Sequence, residues 1–292
     1  MTTASLEQRG TGHTISSHAR LTTAATVRAD GTTGTRVHTL RSEPPLLLRI
    51  TGATTSDVFP GRHGPQVHLV AGAAGPLGGD QLHLEIDVAA GTTLFLREVG
   101  STLLLPGQHA DPSITRTHIH VASEATFGWE AEPIIAAQGC NHRNDVHITL
   151  DDGARLLLRE SIVLGRHGEQ PGDLRQRLRI WYADKPLYAQ ELTIGTHAPG
   201  WAGPAVSDGH QSLGSIIVIN TALHHNHLVP APAPETAVSP LPGPGLIITA
   251  AAPDALTLSQ RLNAALAGVP QTDPRRAHQR VSAHSMTQPA RP

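Results

Sequence analysis

Three successive segments of this chain write an alternating apolar run, a tight turn and a second apolar run. Leu82-His83-Leu84-Glu85-Ile86-Asp87-Val88 precedes Gly91, Thr117-His118-Ile119-His120-Val121 precedes Glu124, and Val146-His147-Ile148-Thr149-Leu150 precedes Gly153. Aligned on the last apolar residue before each turn, Val88, Val121 and Leu150 coincide, with 33 residues from the first to the second and 29 from the second to the third. A period of this length marks a repeat architecture in which each unit has an apolar edge that only its neighbours can cover. The expectation is a mainly β domain, a layered and solenoid-like stack of β-hairpins. Its shared flank is a long surface, suited to a partner more than to a single pocket.

Composition narrows the partners. Only 3% of the 292 residues are aromatic against 39% hydrophobic, so the core must be Leu, Val, Ile and Ala, and stacking platforms for bases are scarce. Lys and Arg total 22 against 24 Asp and Glu, a net charge of -2, which gives no field to attract a polyanion or an anionic membrane. Nucleic acid and membrane are therefore set aside. The single cysteine, Cys140, precludes an internal disulfide and fits a reducing compartment. Residues 1–25 hold no apolar stretch of signal-peptide length, and no run approaches the ~20 apolar residues of a spanning helix. The chain is expected to be soluble and cytoplasmic.

Local signals divide the chain into a mobile tail over 1–25, one β domain over 26–269 and a basic, proline-containing disordered tail over 270–292. Ala24 to Arg28 and Thr35 to Leu40 read as an opening hairpin, and the continuous apolar run Leu46 to Ile50 reads as a strand buried on both faces. Leu174 to Tyr182 and Leu187 to Ile194 form a hairpin around Ala183-Asp184-Lys185-Pro186. The stretch Pro230 to Pro244 is expected to be a surface connector, because proline donates no hydrogen bond. Pro253-Asp254 opens the one helix, with Leu258, Leu262, Ala265 and Leu266 on a stripe and Gly268 at its end.

Four stretches in order resemble the urease accessory protein UreD (UreH) family. They are Gly75-Pro76-Leu77-Gly78-Gly79-Asp80 before the strand Leu82 to Val88; Trp129-Glu130-Ala131-Glu132-Pro133-Ile134-Ile135; Ala154 to Arg166 with Gly168-Glu169; and Leu178-Arg179-Ile180 through Pro186-Leu187 with the strand from Gly214. The chain departs from the family pattern at Ser101 to Gly107, where many members carry Thr-Lys-x-Tyr, and in its late strand, which lacks a basic residue often seen there. The resemblance implies a non-enzymatic scaffold with no catalytic residues and no tightly bound cofactor. Such a scaffold binds UreF-like and UreG-like accessory proteins, docks on apo-urease and assists nickel insertion, with transient Ni2+ on an internal path.

The candidate residues read in more than one way. Asp80 is a nickel-path carboxylate by resemblance, or else the cap of a turn after two glycines. Glu160 follows an apolar run, and if its parity turns it inward it needs Arg159, Arg166 or a metal ion as partner. Arginine pairing is the preferred reading, and Glu160 is the second nickel-path carboxylate implied. If the repeats stack in step, Glu85, His118 and His147 form a column, and Asp87, His120 and Thr149 another; strands ~4.8 Å apart would let the first share a divalent ion, while polar-out alternation predicts the same residues without one. His224-His225-Asn226-His227 reads as a histidine-rich loop in a chain with 19 histidines, and Cys140 as a structural cysteine. Two rival functions are a β-solenoid polysaccharide-active hydrolase, disfavoured by the few aromatics, and a histidine-ligated metalloenzyme, disfavoured by the dispersed histidines.

Overall fold

The computed structural model describes residues 14–27, 31–107, 111–221, 223 and 233–269. Along the chain run β1 (Ser16–Val27), β2 (Thr33–Arg41), β3 (Leu46–Thr55) and β4 (His63–Ala71), then β5 (Gln81–Val88), β6 (Thr93–Glu98) and β7 (Thr102–Leu104). The next three, β8 (Ser113–Val121), β9 (Thr126–Glu130) and β10 (Ile134–Ala136), repeat that last trio, and β11 (Asn141–Leu150) and β12 (Arg155–Val163) begin it again. After them come β13 (Asp173–Tyr182), β14 (Lys185–Ile194), β15 (Ser212–Ile219), β16 (Thr236–Pro240), β17 (Leu246–Ala252) and helix α1 (Ala255–Ala267).

The strands form two sheets. One has seven strands in the order β14-β13-β11-β8-β5-β1-β2; the other has ten, following β16-β17-β15-β12-β9-β6-β4-β3 with β7 and β10 beside the end of β12. The repeats lie in step, as expected: Val88 pairs with Val121 and Val121 with Leu150, and all these pairings are parallel. The stack is therefore solenoid-like, with antiparallel strands and α1 finishing its ends. Each repeat is an arch and not a hairpin, because β5 pairs with β1 and β8 while β6 pairs with β4 and β9. The turn after Val88, Val121 or Leu150 carries the chain from one sheet to the facing one.

The corners share one backbone device. Gly91, Glu124 and Gly153 all take positive φ, at 68°, 59° and 74°, and the next residue but none donates back across the turn in Thr92 N to Ala89 O (3.0 Å), Ala125 N to Ala122 O (3.0 Å) and Ala154 N to Asp151 O (3.1 Å). Glutamate in this region is strained relative to glycine, and Arg155 anchors it with an ion pair to Glu124 at 3.0 Å. Beyond the corners, Val88, Val121, Leu150, Phe127, Leu156 and Leu158 are all buried in one core between the sheets. Each such side chain contributes roughly 1.5–3 kcal/mol by leaving water.

Four expectations are corrected. The strand β1, Ser16–Val27, falls mostly within the tail expected over 1–25; it lies parallel to β5 with Ser17, Ala19, Leu21 and Thr23 inward, and the small or polar Ser17, Ala19 and Thr23 hide the alternation. The run Leu46 to Ile50 is buried only at Leu48, and Ile50 is 53% exposed, because β3 is the edge of its sheet. Part of the proline stretch is a strand: β16 pairs antiparallel with β17 at the opposite edge, where Pro240 is tolerated. The hairpin expected of each repeat is the arch just described. The helix forms as expected, capped by Asp254, which accepts from Thr257 N at 2.7 Å, and closed by Gly268; Leu258 and Leu262 pack over β15 and β17. The tail 270–292 and the His224 to His227 segment lie outside the described residues.

Candidate functional site

The inward positions of the seven-stranded sheet change character along each strand. Counting back from the corner, β11 points Leu150, Ile148 and Val146 inward, then Asn144 and His142; β8 gives Val121, Ile119, then Thr117 and Ser113. β13 follows with Ile180 and Leu178, then Gln176. A cavity of about 100 Å³ opens where the polar residues gather, and Glu98, Trp129 and Glu160 from the facing sheet line it with Glu132 from the link between β9 and β10.

Within it the polar side chains form two connected sets. Asn144 Nδ2 donates to Gln176 Oε1 at 3.0 Å, and Gln176 Nε2 donates to Glu160 Oε1 at 2.7 Å. Ser113 Oγ lies 2.8 Å from His142 Nδ1. Glu160 and Glu98 keep some accessible surface, yet protein atoms crowd both, so that surface faces the cavity and burial pushes each carboxyl up to about 7. Glu132 N donates to Glu98 at 3.2 Å and pulls the other way. The Trp129 indole N–H lies near enough to Glu98 to favour its ionised form, but it meets no partner at bonding geometry. Burial drives His142 down to about 4, leaving a neutral imidazole. Two carboxyls that titrate near neutrality thus line one cavity together with a neutral imidazole and amide side chains.

The arginine partners expected for Glu160 are elsewhere. Arg159 points to the helix, bonding Ser259 Oγ at 3.3 Å and Asn263, and Arg166 pairs with Glu169. Successive strand residues face opposite sides, so Arg159 could not follow Glu160 inward. Glu160, Ser161 and Gln176 also line a wider groove of about 580 Å³ reaching Val206, Leu213 and Glu235, which makes Glu160 the common wall of the interior cavity and the groove.

Asp80 is buried, and both its oxygens accept backbone N–H groups, from Ile15 at 2.8 Å and Leu77 at 2.9 Å. It ties the start of β1 to the glycine turn, where Gly78 lies so close to the Gly107 backbone that a Cβ would approach it to 3.0 Å. Register places Glu85, His118 and His147 in one row on the outer face of the seven-stranded sheet, away from the cavity. Cys140 is buried, with Sγ 3.8 Å from Asp173 O, and burial pushes its thiol up to about 11, which leaves it protonated and unreactive. The site residues missed from sequence are Glu98, Ser113, His142, Asn144 and Gln176; counting parity back from Leu150 and Ile180 finds His142, Asn144 and Gln176.

Stretches far apart in the chain meet at this cavity: Pro76 from the glycine turn, Trp129 to Ile134, and Leu158 to Ser161 from β12. These belong to three of the four segments that carry the family resemblance. The profile described as UreD urease accessory protein matches residues 17–282. The chain belongs to the UreD family. It is 38% identical over 270 residues to a urease accessory protein UreD of Parafrankia sp. (strain EAN1pec), covering 86% of this chain and 88% of the relative. A UreD of Streptomyces avermitilis is 38% identical over 252 residues, 86% of this chain and 97% of its own length, and one of Frankia alni is 37% identical over 261 residues, covering 78% and 86%. UreD proteins are accessory proteins of urease by name. No helix among the described residues is long and apolar enough to cross a membrane.

Proposed function

We propose that this UreD protein is a maturation scaffold that, with UreF-like and UreG-like partners, docks on apo-urease and gives Ni2+ a passage through the polar end of its two-sheet interior. The observation that carries the reading is the carboxyl of Glu160, enclosed between two cavities and bonded by an amide instead of a cation. A carboxyl with an arginine beside it would be occupied permanently; one held by Gln176 can exchange its proton for a passing cation. Asp80 acts in this reading as the clamp that holds the glycine turn in place, and the chain keeps no resident cofactor. Nickel is cargo.

The test is reconstitution with apo-urease and purified UreF- and UreG-like proteins. Glu160→Gln keeps the hydrogen bond to Gln176 but not the charge. It is expected to leave co-purification with the partners intact while lowering the nickel content and activity of the urease by roughly tenfold, the scale seen when groups supporting a metal site are altered. Full activation by the variant would overturn the passage through Glu160.

A further inference from the structure

The outer face of the seven-stranded sheet carries four imidazoles in a row across four strands. Ring centroids are 4.9 Å apart for His18 and His83, 5.2 Å for His83 and His118, and 6.0 Å for His118 and His147. Register sets His18 level with His83 on β1 and β5, and His118 level with His147 on β8 and β11, while His83 meets His118 on the diagonal because Glu85 stands directly beside His118. At one end a carboxylate joins it: Glu85 Oε1 is 3.4 Å from His18 Nε2 and 3.5 Å from His83 Nε2, and the three ligand atoms all lie within 4.8 Å of one another.

We propose that His18, His83 and Glu85 form a binding site for a borderline divalent cation of the Ni2+ or Zn2+ kind, separate from the interior cavity. Ligand atoms about 2.1 Å from a shared ion stand roughly 3.0–3.4 Å apart in octahedral or tetrahedral arrangements, so the two short edges need little closure. The atoms are also available. His83 Nε2 is buried from solvent and has no hydrogen-bond partner, an arrangement that costs free energy unless something binds there. Glu85 divides its oxygens: Arg20 sits 3.8 Å from Oε2 and reaches on to Asp87 at 3.1 Å, leaving Oε1 to the imidazoles. Arg116, level with His83 on the next strand, bonds Gln81 at 3.1 Å. Burial and the neighbouring His118 and His18 lower the His83 pKa, which favours the neutral ring that a metal requires. The site thus centres one strand to the side of the Glu85, His118 and His147 column read from the sequence, because His18 arrives on β1.

Equilibrium dialysis of Ni2+ against the full chain tests this, with the protein as wild type, His18→Gln with His83→Gln, Glu85→Gln, Glu160→Gln, and His118→Gln with His147→Gln. The folded state of every variant is checked by circular dichroism. The double variant at His18 and His83 is expected to lose one bound equivalent or to weaken it at least roughly tenfold, and Glu85→Gln to weaken it as well, while Glu160→Gln keeps it. Unchanged binding in the His18 and His83 variant overturns the proposal, as does loss of that equivalent only in the His118 and His147 variant. Because urease activation reads Glu160 and dialysis reads the outer row, the two sites fail or stand separately.

Discussion

The two ends of the space between the sheets are built from the same strands and behave as different materials. Near the corners the buried side chains are chiefly apolar, Val88, Val121, Leu150 and Phe127, with only threonines such as Thr92 and Thr126 beside the turns; toward the opposite mouth the same strands point Ser113, His142, Asn144 and Gln176 inward and leave a cavity. The dry end supplies cohesion, since close-packed apolar side chains are where burial yields most. The polar end gives up that yield for donors and acceptors that meet inside the protein. One strand of ten residues, β11, crosses from one regime to the other.

The largest effect expected of this contrast is on stability. Phe127→Ala, at the dry end, should cost about 3–5 kcal/mol in a denaturation experiment, since it leaves a cavity among residues that cannot collapse onto it. Gln176→Ala, at the polar end, should cost about 1–3 kcal/mol, the penalty for leaving Glu160 and Asn144 without their partner. Equal losses at the two positions would erase the distinction.

A pH series sharpens it. Glu98 and Glu160 bind protons more tightly folded than unfolded, their pKa rising from 4.5 to about 7, so their contribution is full below 4.5 and is lost as pH climbs through 7. His142 has the opposite sign: its pKa falls from 6.5 to about 4, so its contribution is lost as pH drops through that window. Glu98→Gln with Glu160→Gln should therefore gain stability relative to wild type between pH 4.5 and 7, on the order of 1–3 kcal/mol, and His142→Gln should lose relative stability as pH rises from 4 to 6.5. A variant pair that tracks wild type at every pH would show that the three groups are as solvated as surface ones. The smallest effect belongs to neither end: Asp254→Ala removes the helix cap and should lower the melting temperature only slightly, a baseline for a change remote from the cavity.

Much of this was legible in the sequence because apolar parity and positive-φ turn residues report themselves. The register of Val88, Val121 and Leu150, the hairpin of β13 and β14 and the capped helix all follow from local pattern. What local pattern does not carry is the destination of a turn: the residues around Gly91, Glu124 and Gly153 fit a hairpin or an arch equally well, and only the pairing of whole sheets selects the arch. The strand β1 escaped notice because Ser17, Ala19 and Thr23 face inward without looking apolar, and His18 was hidden with it. The partner of Glu160 was out of reach for a similar reason, since Gln176 comes from the facing sheet and not from the neighbouring arginines.

The corner turns have a mechanical meaning. Each is a covalent stitch joining the two walls along one rim, and the chain crosses back at the other rim between β7 and β8, β10 and β11, and β12 and β13, so both rims are sewn and the walls are held in alignment from either side. The cavity lined by Glu98, Glu160 and His142 lies between walls tied in this way, so its width is governed by the side chains that fill it and not by the walls parting.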